Sequence, residues 1–142
     1  MEWLSNHKLP YATGWEATMQ NEGGNYKHVS IGSMKDVTRQ ELHEALALTG
    51  VEVSLNRMAA GQAVPFLHSH KQNEEVYVFL EGKGSFVIDD DEIEVGEGSL
   101  VRVDPAGARQ IKAAADSDLF YICIQATAGS LTQFSMTDGV IC

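Results

Sequence analysis

Apolar and polar positions alternate along "VEVSL" (51–55), and the same two-residue period returns in short runs through the rest of the chain. A period of two marks a strand with one face turned to a core. "VPFLHSH" and "EEVYVFLEG" flank a polar tetrapeptide, "GSFVI" and "IEV" flank "DDDE", and "GSLVRV" and "RQIKAAA" flank "DPAGA". "LFYICIQA" and "LTQFSM" complete the set. Short strands at regular spacing, with turn residues and no helices between them, predict an antiparallel all-β sandwich or barrel. One helix is predicted ahead of them, over residues 38–49. Thr38 and Glu41 have the capping-box spacing, Leu42, Ala45 and Leu46 recur at helical intervals, and Gly50 stands at the C-terminal cap. Residues 1–36, with Trp3, Tyr11, Trp15, Tyr26 and the pair Gly23-Gly24, show no sustained period. They read as an extended arm with one short strand in "NYKHVSIGS", leaving 37–142 as the β-barrel domain.

Length and charge narrow the function classes. A chain of 142 residues with 44% hydrophobic and 21% charged residues has room for one domain with a core of its own. Its formal net charge of −10 and its lack of a basic cluster exclude a nucleic-acid partner. No apolar run approaches the roughly 18 residues of a membrane span, and "MEWLSNHKLPYATGWEAT" has neither the basic nor the apolar region of a secretory signal. Cys123 lies in an apolar run and Cys142 is the last residue, with no redox or metal-ligand spacing between them. A reducing cytoplasm is the expected setting.

The candidate chemistry sits in "HSHKQNEEVYVFLEG" (68–82). If "KQNE" is a four-residue hairpin loop, His70 opposes Glu75, His68 opposes Tyr77 and Phe66 opposes Phe79. All six then share one face of the hairpin. Opposed Cβ atoms lie roughly 4.5–5.5 Å apart, which lets two imidazoles and a carboxylate converge on one ion at about 2.0–2.2 Å. Glu74 falls in the loop or on the other face. That other face carries Leu67, Val76, Val78 and Leu80, so both faces read as buried. A buried carboxylate needs a partner. The partner is either a metal held by His68, His70 and Glu75 or, without metal, the two histidines themselves.

The stretch resembles the first motif of the cupin superfamily, G-x5-H-x-H-x3-4-E-x6-G. It matches from His68 through Glu75 to Gly82, with Gly61 one residue further upstream. The second motif, G-x5-P-x-G-x2-H-x3-N, is similar to "GSLVRVDPAGARQIKAA" at Gly98, Pro105 and Gly107, with one extra residue before the proline. The resemblance runs over residues 50–125. It implies a jelly-roll barrel, a homodimer, and a divalent metal in the interior, with zinc, nickel, iron and manganese all open. Gln110 stands where the family has its last histidine ligand and Ala114 where it has asparagine. The implied set is therefore His68, His70 and Glu75, arranged as a facial triad, with Gln110 as a fourth ligand or as a hydrogen-bonding partner of bound water.

Phe66, Tyr77 and Phe79 are expected to line a small-molecule pocket beside the ion, with Tyr77 and Gln110 as candidate catalytic groups. Lys112 would follow Gln110 inward, leaving Arg109 outward. Arg57 continues the face of Val51, Val53 and Leu55 and is a further cavity candidate. Both cations have the plainer alternative of a solvated strand end. "DDDE" lacks the ligand spacing of a calcium loop and reads as a solvated turn. His7, His28 and His43 have no partner at ligand spacing. Nothing supports a nucleophile elbow or a nucleotide loop. The functional expectation is metal-assisted chemistry on a small organic substrate, as a dioxygenase or an isomerase or lyase. The alternative is a non-catalytic barrel that binds a sugar or other metabolite.

Overall fold

The computed structural model describes residues 17–142, so Trp3, His7, Tyr11 and Trp15 lie outside the described residues. Strands β1 (Thr18–Glu22) and β2 (Lys27–Ser30) form a small antiparallel hairpin where one strand was expected. A 3-10 turn, Met34–Asp36, leads into β3 (Arg39–Glu41), helix α1 (His43–Leu46) and β4 (Glu52–Met58).

The helix expected over 38–49 is thus a single turn. Its first residues are diverted into a sheet, because Arg39, Gln40 and Glu41 pair with Asn56, Leu55 and Ser54 of β4. The helix start is capped from a distance. Glu52 accepts from the amides of Leu42 (3.2 Å) and His43 (3.3 Å), and the capping residue, Leu42, offers no side-chain hydrogen bond. Ala47, left-handed at φ 52°, ends the turn three residues before Gly50.

The remaining strands are β5 (Asn73–Ile88), β6 (Asp91–Gly96), β7 (Leu100–Val103), β8 (Arg109–Ala113) and β9 (Leu119–Thr127). "EEVYVFLEG" and "GSFVI" are one continuous strand of 16 residues. Its first half lies between β7 and β9, and its second half between β6 and β8. β5 therefore belongs to two sheets, ordered β3-β4-β9-β5-β7 and β6-β5-β8, and all pairing is antiparallel. Gly82 and Gly84 permit the passage from one sheet to the other. Gly82 has φ +87°, and a Cβ there would lie 1.7 Å from the carbonyl oxygen of Asp118. At Gly84 a Cβ would lie 2.2 Å from that of Lys112. Only glycine lets these backbones approach so closely.

The barrel interior has two layers. Phe79, Phe86, Met58, Leu119 and Tyr121 fill one end with an apolar, mainly aromatic core. Toward the start of β5 the buried side chains turn polar, with Glu75 and Tyr77 on β5, Cys123 on β9, and Ser54 and Asn56 on β4. A separate cluster of Val37, Leu55 and Phe120 covers the outer face of β4 and β9. "LTQFSM" (131–136) is not a strand. It lies in an exposed, irregular C-terminal segment.

Candidate metal centre

The polar layer is completed from the opposite wall. The segment 63–70, expected to pair with β5, runs along β8 instead. Bridges join Ala63 to Lys112 and His68 to Arg109, and the amides of Val64 and His70 donate to Ile111 (2.9 Å) and Pro105 (2.8 Å). The predicted hairpin of 66–70 with 75–79 therefore does not form. Both edges of β5 are already taken there, since Glu75 opposes Val103 of β7 and Gln125 of β9. The three candidate ligands still meet, because the barrel closes one wall over the other. One ligand atom each of His68, His70 and Glu75 lies within 4.8 Å of the others. Glu74 takes the other face of β5, as expected from strand alternation.

Glu75 is the centre of a dense network. Its Oε1 accepts from Tyr77 Oη (2.6 Å) and Arg109 Nη1 (2.6 Å), and its Oε2 accepts from Cys123 Sγ (3.1 Å). His70 Nε2 also lies close, 3.2 Å from Oε1, short of full hydrogen-bond geometry. Burial alone would raise the carboxyl pKa. The His70 imidazole, the Tyr77 hydroxyl and the Cys123 thiol outweigh it and hold the group at about 2. Burial, reinforced by the Glu75 charge, pushes the Tyr77 phenol and the Cys123 thiol upward, so both remain protonated donors. His68 is held below the ordinary histidine range, chiefly by burial, with Glu75 opposing.

Arg109, expected to face outward, is 1% exposed and is the largest fully buried side chain among the described residues. Besides Glu75 it donates from Nε to Gly107 O (3.0 Å) and from Nη2 to Asp104 O (2.6 Å) and Pro105 O (3.2 Å). Ile111 and Ala113 share its face of β8 and are buried with it. Gln110 and Lys112 occupy the other face, and Gln110 Nε2 donates to Val64 O at 2.6 Å. Gln110 thus has no place among the ligand atoms, and Lys112 does not enter the cavity. The signal was present in "RQIKA", where the apolar residues alternate in phase with arginine and not with glutamine.

The other candidates separate in the same way. Phe66 is half-buried, its ring edge-on to His68 at 5.8 Å. Phe79, 1% exposed, packs within the aromatic core beside Tyr77. Arg57 lies on the outer face of β4, 4.6 Å over the Phe120 ring and paired with Glu81 at 3.2 Å, away from the cavity. Sequence reasoning missed Cys123 as a partner of Glu75. It also missed the polar wall where Arg39 Nη1 donates to Asn56 Oδ1 (2.6 Å) and Asn56 Nδ2 to Ser54 Oγ (3.0 Å). A second group able to bring three ligand atoms together, Glu41, His43 and Glu52, lies outside the barrel. There Glu52 is occupied as the helix cap and as the ion-pair partner of His43.

The donor chemistry of the interior group suits a divalent ion. His68 Nδ1 and His70 Nε2 are buried without a hydrogen-bond partner among the described residues, beside an ionised carboxylate. Two imidazole nitrogens and one carboxylate oxygen are the ligands that zinc, nickel, iron and manganese accept.

Residues 54–125, just over half the chain, match the family model described as the cupin domain. The chain belongs to the cupin family. A cupin protein from Bacteroides fragilis, BF4112, is 51% identical, with a TM-score of 0.79 over 84% of this chain and 99% of that one. The fold recurs at 15% identity in a Cupin 2 conserved barrel domain protein from Salinispora arenicola. That match has a TM-score of 0.53 and covers 85% of this chain and 82% of the other. The uncharacterized protein MJ1618 of Methanocaldococcus jannaschii is 32% identical over 57 residues, 40% of this chain. That match spans about half (46%) of the curated relative's length. No helix among the described residues is long and apolar enough to cross a membrane.

Proposed function

We propose that this cupin holds a divalent metal ion on His68, His70 and Glu75 and binds a small organic molecule beside it. The observation that carries this reading is that His68, His70 and Glu75 each bring a ligand atom within 4.8 Å of the others, while His68 Nδ1 and His70 Nε2 are buried without a hydrogen bond. A bound ion would supply Lewis-acid polarisation of a substrate oxygen, or activation of dioxygen if it were iron. Isomerase or lyase chemistry and dioxygenation are the corresponding reaction classes. The protein's own groups fix the site. Tyr77 and Cys123 orient Glu75 by donating to it, so Tyr77 acts as a positioning residue. Phe66 edges His68 at the rim, and the aromatic core below excludes water. A polar substrate would suit the polar wall that Ser54, Asn56 and Arg39 form on β3 and β4.

A second reading is favoured by Arg109, which already supplies Glu75 with a buried counter-ion at 2.6 Å. In that case the barrel is a non-catalytic binder of a sugar or other metabolite, without metal. Metal analysis of the purified protein decides between them. The first reading expects about one divalent ion per chain (one three-donor site) and none in His70→Ala. Metal-free protein that takes up no zinc, nickel, iron or manganese on titration overturns it. We further propose a cytoplasmic homodimer, supported by the free thiols of Cys123 and Cys142 and by the exposed apolar residues of the C-terminal segment.

A further inference from the structure

We propose that Arg109 is a built-in cation that competes with a divalent ion for Glu75 and holds the affinity of the site down. This rests on the reading of His68, His70 and Glu75 as a metal site. Arg109 Nη1 stands 2.6 Å from Glu75 Oε1, the same oxygen that lies 3.2 Å from His70 Nε2. A guanidinium stays charged at every accessible pH. This one cannot swing aside, because its Nε and Nη2 are anchored on the carbonyls of Gly107, Asp104 and Pro105. An ion entering the group therefore meets a fixed like charge in a low-dielectric interior. It also gains less from a carboxylate that is already neutralised.

Removing the guanidinium charge reverses both effects. Glu75 then keeps the Tyr77 and Cys123 hydrogen bonds and the His70 contact but loses its fixed counter-charge, which destabilises the metal-free fold and draws a cation in. A lysine at the same position keeps the charge and loses part of the hydrogen bonding, so it separates the electrostatic effect from the packing one.

The test titrates zinc into metal-free parent, Arg109→Gln and Arg109→Lys protein by calorimetry, with thermal melting of each. Arg109→Gln is expected to bind zinc at least about tenfold more tightly than the parent, the scale of one lost charge contact. It should also melt lower without metal and recover with it, while Arg109→Lys stays near the parent affinity. Should Arg109→Gln fail to fold, nitrogen-15 NMR of the parent gives the second measurement. The Arg109 side-chain signals, identified by their loss in Arg109→Lys, are expected to shift as zinc saturates the site.

Equal or weaker zinc binding in Arg109→Gln, equal gains in the glutamine and lysine variants, or unmoved Arg109 signals at saturation each overturn the proposal. Parent protein that binds zinc while Arg109→Gln gains nothing overturns it alone and leaves the metal site standing. Zinc binding by Arg109→Gln but not by the parent supports it and removes the metal from the parent's function. Binding by neither overturns both.

Discussion

Arg109 and Glu75 form an ion pair at 2.6 Å, with side chains 1% and 5% exposed, across the opposite walls of the barrel. Their Cα positions belong to β8 and to the first half of β5, which do not pair with each other, since β8 joins β5 only from Gly84 to Ile88. The pair therefore ties the two sheets together where the backbone does not.

Breaking that pair from one side should be costly. Arg109→Met or Glu75→Ala alone leaves a buried charge without its ion-pair partner and is expected to lower metal-free stability by up to about 3–5 kcal/mol. The double variant should lose much less than the sum of the two. Urea denaturation of the four proteins checks this, and additive losses would show that the two groups are uncoupled.

Acid should weaken the metal-free fold in two stages. Glu75 has a folded pKa near 2 against 4.5 for the free group. Its contribution, about 3 kcal/mol, is present above pH 4.5 and disappears as the pH falls toward 2. His68 is depressed below 6.5, so the folded state resists protonation there and stability begins to fall as the pH drops through 6.5. Denaturation midpoints measured from pH 8 to 3 should begin to fall below pH 6.5 and fall again below 4.5. Glu75→Gln should flatten the part below 4.5.

Gln110→Ala should leave metal uptake unchanged, because the side chain lies on the other face of β8 and bonds to Val64 O. Loss of that hydrogen bond should cost about 1 kcal/mol. A marked fall in zinc affinity, measured beside His70→Ala, would return Gln110 to the ligand set.

Gly82→Ala places a Cβ against the Asp118 carbonyl at a φ that disfavours side chains, so a loss of more than about 3 kcal/mol is expected. Gly98→Ala provides the contrast. It also has positive φ, but a Cβ there meets nothing within 4 Å, so its cost should be the backbone strain alone.

The C-terminal segment leaves Phe134, Met136 and Ile141 exposed at 88%, 98% and 100%. If these residues dock on a second copy, the full chain should sediment near twice 15.5 kDa, and a chain ending at residue 129 near the monomer mass. A monomeric full chain at micromolar concentration would overturn the dimer.

Alternation along the chain determined most of the strands, the antiparallel barrel and the common side of His68 and His70, because strand parity is a local property. That Glu75 joins them was decided by the closing of the barrel. The spacing of two histidines, a glutamate and Gly82 placed the candidate centre for the same reason. Partners were not local. The hairpin expected from the "KQNE" loop lost to β7 and β9, which occupy both edges of β5. The helix from Thr38 lost to pairing with β4. On β8 the sequence offered two phases, and the motif alignment favoured the one that placed Gln110 inside. Burial chose the other, because Ile111 and Ala113 must face the core and carry Arg109 in with them. Glu75 makes that tolerable, since a buried guanidinium requires an anion within reach. Only the closing of one wall over the other brought the two together.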